Sequence, residues 1–472
     1  MNPLARLRRS RLRLRESDKA GERAGEDPHG LARTAVSTLA AYAWWGGTAL
    51  SARLGRWARP QPRPSRTLLL LAWYFPPVVN GGTYRPLALA RYGSALGWNV
   101  VVVTSRPEAP PDAAGRHLLD SLPDAVRVER VAPPWLHPSH SWFPRIDGGV
   151  VTVLATFRAA RRALGAVRPD AVLASGPPFH LFQAGFYLAR LYRCRLALDY
   201  RDEWTENPFD FVTPGNADRA WERRCLAAAD AVLLTTRSQA EHAALVFDGL
   251  DRGRCRVIPN GWEPADWSPD PAALARTVAA PGRLTLSFVG NLASHTPPDG
   301  FLAALAEVIR RRPAMAGALR LQFIGQKSPG SLRAIGAFPH PEIVELVDHL
   351  PRPAANRLMR ASGALLLFNG PRFARYIPGK LYEYLAARRP VLVFGEGGES
   401  AELVRALQAG IVVAAGDPGA LAAALDRLLR EPSAPGDPAA IAEWLARHTR
   451  ERLARDTFEL LGSQLHEGIP RP

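Results

Sequence analysis

Runs of apolar residues alternate along the chain with stretches whose apolar positions recur at helical spacing. LLLLAWYF (68–75) leads into Pro76-Pro77 and Asn80-Gly81-Gly82, TYRPLALARYGSALGW (83–98) follows with a helical pattern, and NVVVVTS (99–105) is apolar again. Strand, helix and second strand make a βαβ unit, with a glycine-rich loop at the carboxyl end of its first strand. Further strands are predicted at Val126–Val131, Ala171–Ala174, Arg195–Asp199 and Ala231–Thr235, with helices between them. Strands that are apolar almost throughout belong to a parallel sheet covered on both faces.

The pattern restarts after Pro281. Strands are predicted at LTLSFVGN (284–291), LRLQFIG (319–325), ALLLFN (364–369), PVLVFG (390–395) and GIVVAA (410–415). Helices at Gly300–Arg311, Ala354–Ser362, Lys380–Ala387, Ser400–Ala409 and Gly419–Arg430 alternate with them, and a last long helix, Pro438–Leu461, follows a break at 432–437. The expected architecture is α/β, with two doubly wound Rossmann-like domains at 67–270 and 281–432. An extension and linker (1–66) precede them and a C-terminal helix (438–465) follows. Ligands of such sheets bind outside the carboxyl ends of the strands, which puts the expected site in the inter-domain cleft.

Composition agrees with two or three folded cores: 472 residues, 47% hydrophobic and 22% charged, exclude a chain disordered throughout. Cys194, Cys225 and Cys255 cannot make a disulfide framework and match no zinc spacing, so a reducing cytoplasm is the expected home. The net charge of +16 suggests an anionic partner, but its distribution argues against nucleic acid. Residues 1–66 hold thirteen Arg and one Lys against five acids, so +9 of the charge sits there. The remaining excess is ordinary for a protein that handles phosphates.

Met1–Arg15 alternates Leu with Arg and has no apolar core of a secretory signal. TAVSTLAAYAWWGGTALSA (34–52) is uncharged over 19 residues yet interrupted by Gly46-Gly47. With Tyr42, Trp44 and Trp45 and basic flanks, residues 1–58 either lie on an anionic membrane surface or form an extension packed on the folded body. The expected localisation is cytoplasmic, peripheral to the inner face of the membrane in the first case.

Candidate chemistry clusters at the predicted strand ends. Lys380 opens the helix KLYEYLAA after Pro378-Gly379, where its charge and the first helical amides face an anion; Glu383, one turn on, presents a carboxylate to a pair of ribose hydroxyls. The alternative is a solvent-facing i, i+3 charge pair. Gly81 and Gly82 let backbone approach a phosphate or sugar closely, or serve turn geometry alone, and Arg85 is a second anion candidate. NGGTYR lacks the G-x-G-x-x-G spacing, which argues against a dehydrogenase. In DYRDEW (199–204), Asp202 or Arg201 orients hydroxyls, or an Asp199–Arg201–Asp202 network holds the loop. His180 in SGPPFH is a cleft candidate or a core histidine. Gly397-Gly398-Glu399-Ser400 opens a helix, Asn260-Gly261 is a candidate hinge, and Trp135, Trp142 and Phe143 form an aromatic loop suited to a glycan or lipid.

Five segments in order, YFPPVVNGGTYRPLALARYGSALGWNVVVVT, LALDYRDEW, RVIPNGWEPADW, LSFVGN and PGKLYEYLAARRPVLVFG, resemble the GT-B glycosyltransferases, specifically glycosyltransferase family 4, over about residues 67–465. The resemblance implies a nucleotide-sugar donor, a glycan or lipid-linked acceptor, retention of anomeric configuration, no metal or other cofactor, and a role in cell-envelope or exopolysaccharide synthesis. It implies that Glu383 is a ribose ligand and puts His180 at the level of a cleft residue near the sugar. Two positions depart from the family. A second Glu expected eight residues before Glu383 is replaced by Arg375, which with Arg372 is a candidate contact for phosphate or an acidic sugar. The Arg-and-Lys pair expected after the first strand of the second domain is absent, leaving Asn291 as a hydrogen-bond donor. A nucleotide-sugar epimerase and a non-catalytic scaffold on the same fold are the competing expectations.

Overall fold

The computed structural model describes residues 66–132, 149–209, 214–267, 283–293, 296–431 and 436–463. Residues 1–58 and the aromatic loop of Trp135, Trp142 and Phe143 lie outside them. The first sheet comprises β1 (Thr67–Ala72), β2 (Asn99–Ser105), β3 (Arg127–Val131), β4 (Ala171–Gly176), β5 (Arg195–Tyr200), β6 (Ala231–Leu234) and β7 (Cys255–Val257), in the order β3-β2-β1-β4-β5-β6-β7. The second comprises β8 (Leu284–Val289), β9 (Leu319–Ile324), β10 (Val344–Val347), β11 (Ala364–Phe368), β12 (Val391–Phe394) and β13 (Gly410–Val413), in the order β10-β9-β8-β11-β12-β13. Strand pairing is parallel in both. These are two doubly wound sheets of the GT-B architecture.

The reason for apolar strands is visible in β1. Leu69 and Leu71 belong to one core layer and Leu68 and Leu70 to the other, all fully buried. Strand order reverses between β1 and β4 and again between β8 and β11, and the loops leaving these four strands open the crevices where ligands sit in such folds. The helices that carry the site are α1 (Tyr84–Ala95), α2 (His180–Tyr192), α3 (Asn216–Ala228), α4 (Arg237–Val246), α5 (Arg352–Ala361), α6 (Gly379–Ala386) and α7 (Gly398–Ala406).

The C-terminal segment is two helices rather than the single long one expected from its pattern: α8 (Pro438–Arg447) and α9 (Arg450–Ser463). The Trp262 amide donates to His448 O at 3.1 Å and the Arg450 amide donates to Trp262 O at 2.8 Å. Backbone groups engaged sideways in this bridge cannot continue the helical ladder, so the chain turns. Ile441 and Leu445 of α8 join the core of the second domain, whereas Leu453, Ala454, Phe458 and Leu461 of α9 join that of the first. Gly93 on α1 makes the second contact possible, since a Cβ there would stand 2.1 Å from the Phe458 ring.

Phe458 is 3% exposed and its ring centroid lies 5.3 Å from that of Trp98. Phe458→Ala is expected to destabilise the protein by about 3–5 kcal/mol, read from urea unfolding. A loss of under about 1 kcal/mol would mean that α9 contributes little to the first domain.

Candidate active site

In the first domain the loop after β1 is folded by its own side chains. Asn80 Oδ1 accepts from the Gly82 amide at 2.9 Å, and the Thr83 hydroxyl donates to Val78 O at 2.8 Å. The Gly82 amide is thus already engaged, which corrects its expected part in binding phosphate. A Cβ at 82 would fall 2.4 Å from Arg201 Nη1 and 3.0 Å from the Tyr74 ring, so a side chain there would displace Arg201 from the Gly82 carbonyl, whereas nothing lies within 4 Å of a Cβ at Gly81. Gly81 is exposed, with open space on its Cβ side.

Two arginines expected to face ligand turn out to brace loops. Arg85 is buried; its Nε and Nη2 donate to Asp199, and its Nη1 donates to the carbonyls of Ile258 and Pro259 at 2.7 and 2.6 Å. The Ser175 hydroxyl donates to Asp199 at 2.7 Å, so Asp199 pairs with Arg85 and Ser175 rather than with Arg201. Arg201 donates to the carbonyls of Gly82 (2.9 Å), Gly176 (3.2 Å) and Pro177, tying the ends of β1, β4 and β5 together. Three of the five guanidinium N–H groups are thus engaged by carbonyls, so Arg201 braces these loops. Asp202 makes no hydrogen bond to the described residues, and burial raises its carboxyl pKa against the opposing pull of Arg201. His180 opens α2, 2% exposed, edge-on to Trp73 at 4.7 Å, with neither ring nitrogen hydrogen-bonded. Burial takes its pKa down to about 3, so the ring is neutral at physiological pH and is no proton donor there.

In the second domain, Lys380 and Glu383 lie on α6, whose N-terminus has no side-chain cap. The Lys380 ammonium sits 3.8 Å from the centroid of the Phe288 ring and faces the turn at Gly290, where a Cβ would stand 3.3 Å from Nζ. Burial lowers its pKa to about 7, with Glu383 opposing. Asn291 is exposed at the exit of β8. Glu383 accepts from Arg352 Nη2, and Arg352 also pairs with Asp266 at 2.5 Å and lies 4.5 Å over the Tyr84 ring. Arg352 was not singled out in the sequence, where one arginine in PRPAANRLMR carries no distinguishing signal. Among the described residues no group of three His, Cys, Asp or Glu is arranged to hold a metal ion.

Arg375 does not stand ready for phosphate or an acidic sugar. Its Nε and Nη2 donate to the two oxygens of Glu203 at 2.8 and 2.6 Å, and Tyr376 OH donates to the same carboxylate at 2.8 Å. The pair bridges the domains with side chains 19% and 8% exposed. Nearby, the Thr236 hydroxyl donates to Arg375 O at 2.6 Å, and the Ser238 amide in the first turn of α4 donates to Glu399 at 2.6 Å. Glu399, at the start of α7, thus serves the other domain; the Gly397 carbonyl accepts from Asn369 Nδ2, and the Glu399 amide donates to Ala374 O at 3.0 Å. Glu222 on α3 secures the facing loop through the Thr205 amide and hydroxyl at 3.0 and 2.5 Å, and burial raises its pKa to about 7.

Two doubly wound Rossmann-like domains, the second carrying a cation and a carboxylate one turn apart on α6, make up the GT-B fold. Residues 80–261 match the glycosyl transferase 4-like domain, and residues 283–431 match the glycosyl transferases group 1 domain. The chain belongs to this glycosyltransferase family. The D-inositol 3-phosphate glycosyltransferase of Nocardia farcinica is 30% identical over 185 residues, 38% of this chain and 40% of that protein, so the alignment spans well under half of either. Sucrose-phosphate synthase from Thermosynechococcus elongatus superposes with a TM-score of 0.66 at 16% identity, covering 85% of this chain and 100% of that one. Anabaena HepE, solved with UDP and glucose, superposes with a TM-score of 0.60 at 16% identity, covering 84% and 100%. At such identities the two structures establish the fold.

The Arg375–Glu203 pair is expected to show a coupling of about 1–3 kcal/mol in a double-mutant cycle of Arg375→Met and Glu203→Gln read by urea unfolding. Additive losses would deny the clasp any energetic role. Lys380 gives a pH dependence of definite sign. Its amine is half neutral near pH 7, and a bound diphosphate favours the ammonium, so binding takes up a proton and affinity falls as pH rises from 6.5 to 8.5. Lys380→Arg, charged throughout, is expected to flatten that slope in calorimetric titrations; an unchanged slope would exclude Lys380 as its source.

Proposed function

We propose that the chain transfers a sugar from a nucleoside diphosphate donor to a hydroxyl of a glycan, lipid-linked or phosphorylated polyol acceptor, with retention at the anomeric carbon. The observation that carries this reading is the α6 pair at the cleft. Lys380, beside the uncapped helix amides, suits a diphosphate, and Glu383 one turn along suits a ribose. The matched family supports the transfer chemistry, and the inositol phosphate enzyme among its relatives supports a small phosphorylated acceptor as one candidate.

In this scheme the acceptor hydroxyl approaches from the first domain, past Gly81 and the neutral His180 ring. The bond from the anomeric carbon to the diphosphate oxygen breaks while the acceptor oxygen bonds to the same face of that carbon. The hydroxyl proton passes to the departing diphosphate. Lys380 and the first amides of α6 stabilise the growing negative charge without calling for a metal, and Asn291 adds a donor at the exit of β8. Asp202, whose carboxylate makes no hydrogen bond to the described residues, orients a sugar or acceptor hydroxyl. Residues 1–58 would bring this machinery to the inner face of an anionic membrane, where an envelope or exopolysaccharide acceptor is assembled; among the described residues no helix is long and apolar enough to cross a membrane.

Calorimetric titration of UDP, GDP, ADP and dTDP against the protein and against Glu383→Ala tests the reading. One nucleotide is expected to bind and to weaken about tenfold or more in the variant. If none binds to folded protein, the transferase reading gives way to that of a scaffold.

A further inference from the structure

Arg352 touches both halves of the cleft. It opens α5 in the second domain with its side chain 18% exposed. Its guanidinium engages Glu383 Oε1 and Asp266 Oδ2 and covers the ring of Tyr84, the first residue of α1 in the first domain. Arg450 from the returning C-terminal helix covers the same ring at 5.0 Å and approaches Asp266 at 3.9 Å. Tyr84 follows the Gly81-Gly82-Thr83 loop directly, so one side chain lies between the carboxylate of the second domain and the glycine loop of the first.

We propose that Arg352 is a positioning residue for the donor nucleoside: it aims the Glu383 carboxylate at the ribose hydroxyls and, through Tyr84, ties that contact to the helix behind Gly81-Gly82. The proposal rests on the reading of Glu383 as a ribose ligand. A carboxylate has about four acceptor sites, and Arg352 takes one on Oε1, leaving Oε2 and the rest of Oε1 for two hydroxyls. A free glutamate on a helix surface samples several rotamers and must give them up on binding, whereas a charge-assisted contact fixes it beforehand. Burial works against the charge of Arg352, but Glu383 and Asp266 outweigh it, so the guanidinium remains ionised throughout the working pH range. Lysine would not reproduce the arrangement, since a point charge lacks the fixed fork of donors that meets two carboxylates over the Tyr84 ring.

The test uses the full chain, the nucleoside diphosphate that the titration panel selects, and inorganic pyrophosphate as a second probe. Arg352→Met is expected to weaken the nucleoside diphosphate by about tenfold or more, and pyrophosphate, which makes no ribose contact, by less than about threefold. Arg352→Lys is expected to recover only part of the loss and serves as the working variant should the methionine protein fail to fold. In turnover the change is expected in the donor KM with kcat nearly constant, and Tyr84→Leu combined with Arg352→Met is expected to lose less than the sum of the two. Equal weakening of both probes, or a nucleotide affinity within about twofold of wild type, would overturn the positioning role. If Glu383→Ala loses the nucleotide while Arg352→Met keeps it, only this inference falls; if Glu383→Ala keeps it, the reading beneath falls as well.

Discussion

The arrangement depends on one backbone crossing. The chain leaves the first domain through Ile258–Trp262 and returns through His448–Arg450, and at that waist the two strands of traffic are hydrogen-bonded through Trp262. Gly261, at φ +71°, permits the close approach, because a Cβ there would stand 2.6 Å from Leu453 and 2.9 Å from His448 O. The Trp262 indole adds a donor to Leu445 O at 2.8 Å. Each domain is thereby held at both its exit and its re-entry, and the faces carrying the strand ends are kept opposite each other.

Within the cleft, the cations divide by what they touch. Arg85 and Arg201 saturate carbonyls and a buried carboxylate, and so fix loops. Arg375 is neutralised by Glu203 and closes one rim. Arg352 is held between two carboxylates. Lys380, by contrast, faces an aromatic ring and a glycine turn, and burial has already weakened its hold on its proton. Removing a charge from water is costly unless it is paired, so on the proposed reading this is the cation placed to meet an incoming anion.

Much of the fold was legible because it is written locally. Near-continuous apolar strands and helical periodicity between them mark a parallel sheet, and the restart after Pro281 marks a second one. The edge strands β7 and β10 escaped because they are three and four residues long and mostly half-exposed, which leaves little apolar signal. The break at His448-Thr449 escaped because its cause is Trp262, far away in sequence. The same holds for the site. Lys380 and Glu383 could be paired from their spacing on one helix, but Arg85 meets Asp199 across 114 positions and Arg375 meets Glu203 across 172. Residue type alone gave these arginines a ligand to hold, and tertiary partners gave them another task.

The return of α9 to the first domain has a consequence for how the protein comes into being. Synthesis delivers the strands of the first sheet early, yet one of its two apolar layers is finished only by Leu453, Ala454, Phe458 and Leu461. Domains made on the ribosome ordinarily close in the order they emerge. Here the leading domain must wait, with the groove beside Gly93 uncovered, until the whole trailing domain has been translated. The first sheet to appear is the last to be sealed, so a chain cut short near its end is damaged at its beginning.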